Sequence, residues 1–362
     1  MNTLFLRGAL APALLLCAQA APAHANDMAD PAGPIIAAGL RADAHGPAGT
    51  MADHLHDAGT LMIGLNLMRE DWRGHELRGA SRIPDADIAA AGYTSKSDAM
   101  TMDMAMIHVM WAPSDRVTLM AVPTWMRMEM TMKGLPGASG TGAHGGHGGH
   151  GGHGLDPGET MKHSVEGWGD TQFGALVSLS RRPALSAHAG LMVSAPTGKV
   201  DRRNADGRFV HYMMQGGSGT WDLLPSLTVH GMAGDFGWGA QASYVFRAEK
   251  ANASGFRFGD RFAATAWASH AVTPRASVSA RLAYSWEGRI MGHYNAAHNH
   301  SSPPDRQPNY GGKRIDAGLG GNLVLGDRLR LGIEGTAPLW QRVNGIQTPR
   351  RFGASANIAV MF

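Results

Sequence analysis

The sequence has a single cysteine and no long apolar run after its N-terminus, and both absences narrow its class. Cys17 is the only cysteine among 362 residues. It lies in a segment that we expect to be removed, which excludes disulfides and cysteine-ligated metals from the mature chain. The mature chain has no stretch of eighteen apolar residues, which excludes a membrane-spanning helix. Charged residues are only 17%, the net charge is +3, and basic residues are dispersed, so no nucleic-acid partner is expected.

The N-terminus has the three parts of a secretory signal peptide. Arg7 supplies the positive charge, residues 8–18 form an apolar stretch too short to span a bilayer, and Ala23-His24-Ala25 is a small-x-small cleavage site. We therefore expect residues 1–25 to be a cleaved signal peptide. Residues 26–57 begin with a stretch rich in alanine, glycine, aspartate and proline. Such a composition predicts a disordered periplasmic lead-in.

The last residues of the chain alternate between two kinds of side chain. Every second residue from Phe352 to Phe362 is apolar, and the residues between them are mostly small or polar. This period of two predicts a β-strand with one apolar and one polar face. Twelve segments carry the pattern, and they begin near Leu61, Ala105, Val117, Phe173, Leu185, Trp221, Phe236, Asp260, Val278, Ile315, Leu329 and Phe352.

The connections between these segments alternate between short turns and long loops. The short turns are at 113–116, 181–184, 231–235, 273–275 and 326–328. Alternating connections and an even strand count predict an all-β fold over residues 58–362, a closed antiparallel transmembrane β-barrel of about twelve strands. A soluble β-sandwich would carry Lys, Glu and Thr on its outward face, where this chain is apolar.

A barrel of this kind belongs in the outer membrane of a Gram-negative bacterium. Its expected partners are outer-membrane lipid and the barrel-assembly machinery, which would engage the C-terminal strand that ends in Phe362.

Several turn and strand-start motifs resemble those of one outer-membrane family. They are Ala112-Pro113-Ser114-Asp115-Arg116, Gly167-Trp168-Gly169-Asp170, Pro196-Thr197-Gly198, Gly217-Ser218-Gly219-Thr220-Trp221-Asp222-Leu223-Leu224-Pro225 and Phe258-Gly259-Asp260-Arg261. From about His54 to Phe362 the chain resembles the outer-membrane transporters grouped as the MetA-pathway of phenol degradation family. The resemblance implies a barrel that takes up aromatic compounds, and it supplies no catalytic residues.

Methionine is concentrated in one part of the chain. Ten of the 22 methionines lie between Met100 and Met132, all at even positions. Because the odd positions carry apolar residues, we expect the methionine face to point into the lumen, with Met102 paired to Met126. Thioether sulfur selects Cu(I) and imidazole accepts Cu(II) or Zn(II), so the face is a candidate metal path. The alternatives are a soft apolar lining for hydrophobic or aromatic solutes and a face in contact with lipid. The candidate ligands are Met100, Met102, Met104, Met106, His108, Met126, Met128 and Met130.

A glycine-rich segment at 133–167 is expected to be a long extracellular loop. Histidines recur in it at every third position, and a further one follows. Histidine-rich tracts bind Zn(II), Cu(II) or Ni(II), because several imidazoles on one chain can converge on an ion. Simple repeat expansion in a tolerant surface loop is the alternative. The histidines are His144, His147, His150, His153 and His163.

Charged residues on the predicted inner face are the third group of candidates. They can pair across the lumen and brace the wall, or they can bias a pore toward anions. We expect the following to line the lumen: Arg247, Arg281, Arg314, Asp316, Arg330, Glu334 and Arg351.

Enzymatic motifs are missing, since no GxSxG, HExxH or CxxC pattern occurs. We therefore expect no enzyme. The predicted function is a channel for small solutes, aromatic or hydrophobic ones among them. The alternative is a metal-binding barrel of copper or zinc homeostasis, for which Cu or Zn would be the only cofactor. A structural barrel with a sealed lumen that displays its loops is a third class.

Overall fold

The computed structural model describes residues 41–137, 155–182 and 184–362. The predicted signal peptide, residues 1–25, lies outside these ranges. The first half of the described chain contains β1 (Leu61–Arg73), β2 (Leu77–Arg78), β3 (Ser81–Arg82), α1 (Asp85–Ala90), β4 (Ser95–Ser114), β5 (Val117–Val122), β6 (Thr124–Gly134), β7 (Thr160–Trp168), β8 (Thr171–Arg182) and β9 (Leu185–Ala195).

The second half contains β10 (Asp222–Ala233), β11 (Phe236–Arg247), β12 (Phe256–Arg257), β13 (Arg261–Thr273), β14 (Ala276–Glu287), β15 (Met291–Gly292), β16 (Gly312–Leu325), β17 (Leu329–Val343), β18 (Ile346–Gln347) and β19 (Arg350–Met361). Short 3-10 helices lie at Ala42–Ala44, Tyr212–Met214, Pro303–Asp305 and Gln307–Asn309. Among the described helices, none has the length and apolar character needed to span a membrane.

The long strands form a closed barrel. Their order in the sheet is β1, β19, β17, β16, β14, β13, β11, β10, β9, β8, β5 and β4, and β1 also pairs with β4. All these pairings are antiparallel. β6 continues β5 past Pro123, and β7 leads into β8, so each of these pairs makes one long strand. Counted in this way, the described residues form a barrel wall of twelve strands. The prediction of a twelve-stranded closed antiparallel barrel is confirmed.

The outer surface of the barrel is apolar, as the period-two pattern predicts. Leu319, Ile333 and Leu339 are 73%, 67% and 67% exposed, which is the reverse of what a water-soluble fold would show for such residues. Their inward neighbours are small or polar, for example Gly320 and Glu334. A surface of this kind is suited to lipid contact.

Residues 41–57 lie inside the barrel, which corrects the prediction of a disordered periplasmic lead-in for this part of 26–57, and residues 26–40 lie outside the described residues. We call residues 41–57 the inner segment. Ala42 and Ala48 in it are fully buried. Barrel side chains donate hydrogen bonds to its carbonyl oxygens: Ser277 to Ala42 at 2.9 Å, Ser269 to Asp43 at 2.8 Å, Asn66 to Ala48 at 2.9 Å and Gln241 to Met51 at 2.9 Å. Composition alone misleads here, because small residues also allow a chain to fit a narrow lumen with its backbone groups satisfied.

The long loops pack together at the end of the barrel opposite the short turns. The rings of Tyr212 and Tyr294, from two different loops, stack at 4.3 Å between centroids. Tyr294 also stacks on Phe209 at 4.2 Å, and Phe256 and Tyr310 join the same buried cluster. The described loops therefore have an aromatic core of their own.

The predicted loop at 133–167 is shorter than expected. Residues 160–168 form β7, which pairs with β6 so that His163 lies opposite Met130. Residues 160–168 alternate in polarity as a strand does, so their sequence is compatible with this pairing. The glycine- and histidine-rich stretch before them is typical of a loop, which is why the prediction extended the loop to residue 167. His144, His147, His150 and His153 lie outside the described residues.

Candidate functional site

The inner face of β4, β5 and β6 is a methionine wall. It comprises Met100, Met102, Met104, Met106, Met110, Met120, Met126, Met128, Met130 and Met132. Met110, Met128 and Met130 are at most 3% exposed, so the predicted inward orientation holds and the lipid-facing alternative does not. His108 shares this face and is half-buried, and its Nε2 is enclosed without a hydrogen-bond partner among the described residues.

The predicted pairing of Met102 with Met126 is wrong by one step. Met102 lies opposite Met128, and Met104 lies opposite Met126. The chain turns at Asp115-Arg116, where Ser114 pairs with Val117, and an irregularity between Trp111 and Ser114 shifts the pairing by one residue. The resulting register differs from the predicted one by two residues, which preserves the face of every side chain.

A row of three methionines, one on β1 and two in the methionine wall, is not fully covered. Met68 on β1 lies opposite Met104, and Met104 lies opposite Met126. These three are half-buried, whereas Met106 and Met128 beside them are 7% and 2% exposed. These three side chains therefore keep accessible surface inside the barrel.

The rest of the methionine wall is covered from both ends of the barrel. Met51, Ala52 and Leu55 of the inner segment pack on the cluster that contains Met106, Met110 and Met120. From the loop side, Val210 and Met214 pack with Met100 and Met130. The half-buried row lies between these two covers in the register of β4.

Charged side chains line another arc of the interior, which we call the ion-pair wall. Arg281 binds Glu334 through two hydrogen bonds of 2.6 and 2.8 Å. Glu334 also accepts a hydrogen bond from the backbone N–H of Gly49, at 2.9 Å, which ties the inner segment to this wall. Both residues were predicted to line the lumen.

Arg350 is the centre of the ion-pair wall, and sequence reasoning missed it. Arg350 is 5% exposed. It pairs with Glu70, with Asp316 at 3.0 Å and with Thr336 at 2.7 Å. Arg351, predicted to line the lumen, is exposed. The register of β1 with β19 shifts between Asp71 and Trp72, and this bulge brings Arg350 inward in place of its neighbour.

The remaining predicted lumen residues are placed as follows. Arg314 donates to Asp316 at 2.7 Å, and Arg247 pairs with Asp222. Arg330 is half-buried, and its Nη1 has no hydrogen-bond partner among the described residues.

A cavity lined by histidines lies at the short-turn end of the barrel, and its volume is about 430 Å³. The inner segment supplies three imidazoles, and the ring centroid of His54 is 4.8 Å from those of both His45 and His56. His188 on β9 and His230 on β10 line the same cavity. None of these residues was among the predicted metal ligands, although the dense group of histidines and aspartates at 45–57 is visible in the sequence.

Asp53 anchors this group of imidazoles. One carboxylate oxygen accepts the backbone N–H of Gly46 at 2.7 Å, and the other lies 2.8 Å from Nδ1 of His54. Burial acts to raise the pKa of Asp53, but His54 and Arg330 hold that pKa well below its usual range. Burial lowers the pKa of His56 to about 3, and His54 and Arg330 act in the same direction. The group therefore combines a carboxylate with at least one neutral imidazole.

Comparisons with known proteins agree with this architecture. Residues 128–307, about half of the chain, match the family described as MetA-pathway of phenol degradation, so the resemblance seen in the turn motifs is confirmed. No curated protein sequence matches the chain.

Among solved structures, an outer membrane channel from Pseudomonas putida F1 is similar, with a TM-score of 0.56 and 13% identity, covering 86% of this chain and 98% of that one. A FadL homologue from Pseudomonas aeruginosa has a TM-score of 0.40 and 10% identity, covering 84% and 90%, a likeness too weak to carry an argument. At 13% identity the first likeness shows the fold alone. The chain is thus an outer-membrane β-barrel of a Gram-negative bacterium, and outer-membrane lipid surrounds it.

Proposed function

Since the chain is an outer-membrane barrel whose residues 128–307 match the MetA-pathway of phenol degradation family, we propose that it is a channel for small apolar solutes, aromatic ones among them. It acts as a transporter and not as an enzyme. The observation that carries the proposal is the half-buried row of Met68, Met104 and Met126 on an inner face whose other methionines, apart from Met102, are buried.

The chemistry of this wall supports an apolar solute. From Met100 to Ala112 the inward positions of β4 carry methionine, His108 and alanine, and no Asp, Glu, Lys or Arg. Methionine is flexible and polarisable, and its sulfur attracts aromatic ring edges by about 0.3–1.5 kcal/mol. A phenol-sized ring would exchange water for thioether contacts there, whereas a sugar or an ion would lose hydrogen bonds.

The inner segment accounts for selection by size. It crosses the lumen and is held by side chains of several strands, including Asn66, Gln241 and Ser269. A channel narrowed in this way passes small solutes and excludes large hydrophilic ones.

Uptake of labelled phenol tests the proposal, in cells of a Gram-negative host that lacks its own channel for hydrophobic solutes. Met104→Lys places a charge in the half-buried row. We expect uptake to fall at least roughly tenfold, because a tenfold loss needs only about 1.4 kcal/mol of added barrier.

Met291→Lys is the matched control, since Met291 is a methionine of the loop region and is 54% exposed. Uptake in this variant should equal that of the parent, at equal amounts of folded protein in the outer membrane. Equal uptake by Met104→Lys and the parent would remove the methionine row from the transport path.

A second candidate function, copper or zinc homeostasis, has one specific observation in its favour. Met130 of the methionine wall lies directly opposite His163 in β6 and β7, and the His163 ring lies 6.0 Å from that of His211. Soft sulfur beside imidazole suits copper. Titration of the purified barrel with Cu(I) tests it: a Met130→Leu variant should bind at least one equivalent less than the parent, and equal stoichiometry would count against copper.

Assembly is also part of the proposal. We propose that the barrel-assembly machinery engages β19 and the terminal Phe362, whose ring is 62% exposed. The signal peptide at 1–25 stays a prediction.

A further inference from the structure

We propose that His45, Asp53 and His54 form a binding site for a borderline divalent transition-metal cation such as Zn(II), inside the short-turn end of the barrel. Each residue offers one ligand atom, and these atoms all lie within 4.8 Å of one another. Nitrogen and carboxylate oxygen are the donors that Zn(II) accepts, at about 2.0–2.2 Å from the ion. Three donors this close together need only small side-chain movements to reach one cation.

The site is enclosed and held in shape. His45 and Asp53 are 5% and 6% exposed, and His54 is half-buried. The backbone N–H of Gly46 donates to Asp53 at 2.7 Å, which closes the turn that brings residue 45 back toward residues 53 and 54. The barrel holds both sides of this turn, through the hydrogen bonds of Asn66 to Ala48 and of Gln241 to Met51. A donor set built into a fixed turn loses little conformational entropy when an ion binds.

The hydrogen bonding of His54 supports metal binding. Its Nδ1 lies 2.8 Å from an Asp53 oxygen, so a cation that displaces the proton shared between them can bind both atoms. The other Asp53 oxygen accepts the backbone N–H of Gly46 at 2.7 Å, and this hydrogen bond orients the carboxylate as outer-shell partners do in metal sites.

Further imidazoles are available to complete a tetrahedral shell. His56 is edge-on to His54 at 4.8 Å, and His188 and His230 of the barrel wall line the same cavity. Nε2 of His188 lies 3.0 Å from the carbonyl oxygen of Ala52, and its Nδ1 is buried without a hydrogen-bond partner among the described residues. The cavity opens beside the short turns, through which an ion can enter from the periplasmic side.

The charge balance selects the class of cation. Arg330 interacts electrostatically with Asp53 and so offsets part of the only carboxylate in the donor set. Hard cations such as Mg²⁺ and Ca²⁺ need several oxygen ligands, and this site provides mainly imidazole nitrogen. Zn(II) and its neighbours are therefore favoured over Mg²⁺ and Ca²⁺. The site uses none of the methionines of the half-buried row, so its test does not depend on the outcome of the uptake experiment.

Calorimetric titration of the full chain in detergent with ZnCl2 tests the site. The background carries asparagine at His144, His147, His150 and His153, so that the repeat cannot contribute. We expect at least one Zn(II) equivalent, no heat with MgCl2, and the loss of one equivalent or at least tenfold weaker binding in His54→Gln and in His45→Gln. His270→Gln is the matched control, since His270 is exposed on the barrel wall, and it should bind Zn(II) as the background does.

A second measurement needs no substitution at the site and covers the case in which His54→Gln does not fold. Histidines of the unaltered chain are modified with diethyl pyrocarbonate, with and without Zn(II), and the modified residues are located by mass spectrometry. Zn(II) should protect His54 and His45, leave His270 reactive, and have no counterpart with Mg²⁺. Unchanged reactivity of His54 and His45 with saturating Zn(II), or full binding by a folded His54→Gln variant, would overturn the proposal.

Discussion

The methionine wall and the ion-pair wall occupy neighbouring arcs of one barrel interior, and they stabilise it by different means. The methionine side chains make non-directional contacts, so several of them fill the same space in alternative ways. The ion-pair wall depends on fixed geometry, because Arg350 satisfies Glu70, Asp316 and Thr336 at once. The methionine wall should therefore tolerate substitutions that change side-chain shape. The ion-pair wall should tolerate almost no substitution that removes a charge.

Removal of the Arg350 guanidinium is the strongest way to test that difference. Arg350→Gln leaves Glu70 and Asp316 enclosed without their shared cation, and breaking a buried pair from one side costs about 3–5 kcal/mol. The free energy of unfolding in urea, followed by tryptophan fluorescence in detergent, measures the loss. Arg351→Gln is the matched control, because the exposed Arg351 should change stability by no more than about 0.5 kcal/mol. Equal losses of unfolding free energy in the two variants would contradict the inward position of Arg350 and the outward position of Arg351.

Glu76 extends the comparison to an enclosed carboxyl that has no ion-pair partner among the described residues. It is 1% exposed, and burial raises its pKa to about 8, against which the hydrogen bond from Thr348 acts only in part. The folded state thus keeps a proton that the unfolded chain releases near pH 4.5, so stability falls as the pH rises from about 4.5 to 8 and then levels off. Glu76→Gln removes this dependence.

We expect the stability of Glu76→Gln to match the parent near pH 4 and to exceed it above pH 8 by on the order of 2–4 kcal/mol. Thermal unfolding at pH 4, 6, 8 and 9, followed by circular dichroism, measures the difference. A constant difference between the two proteins across this range would contradict the raised pKa.

Substitutions in the methionine wall should cause the smallest losses of unfolding free energy, and these losses should differ most from site to site. Met128→Ala opens a cavity at a site that is 2% exposed, at a cost of about 2–3 kcal/mol. Met104→Leu, a swap of similar volume at a half-buried site, should cost less than about 1.5 kcal/mol. Urea unfolding of both variants measures this contrast. Equal costs would show that the row of Met68, Met104 and Met126 is as tightly packed as the rest of the wall.

Much of the fold follows from the period-two pattern, for physical reasons that particular residues illustrate. Ile107 and Val109 alternate with Met106 and Met110, and a barrel wall between lipid and lumen permits only one assignment of the two faces. The short turns were also predictable, since Pro113 and Asp115 interrupt the alternation where a chain must reverse.

The interior was less predictable, because single irregularities decide it. One bulge exchanges Arg351 for Arg350, and the position of the turn at Asp115-Arg116 together with an irregular pairing near Trp111 sets the methionine register. Nor does spacing along the chain show that His54 of the inner segment and His188 of β9 line one cavity. Whether the two histidines meet depends on which strands surround the inner segment, and only the closed barrel determines this.

The hydrogen bonds that hold the inner segment reach carbonyl oxygens, which every amino acid possesses. Ser277, Asn66 and Gln241 would donate equally well to a segment of different composition. The barrel thus fixes the course of the backbone and not the amino-acid sequence of the segment. Only the size of the side chains limits which residues the segment can carry. Over evolutionary time this stretch is free to gain or lose chemical groups such as imidazoles while the surrounding strands stay as they are.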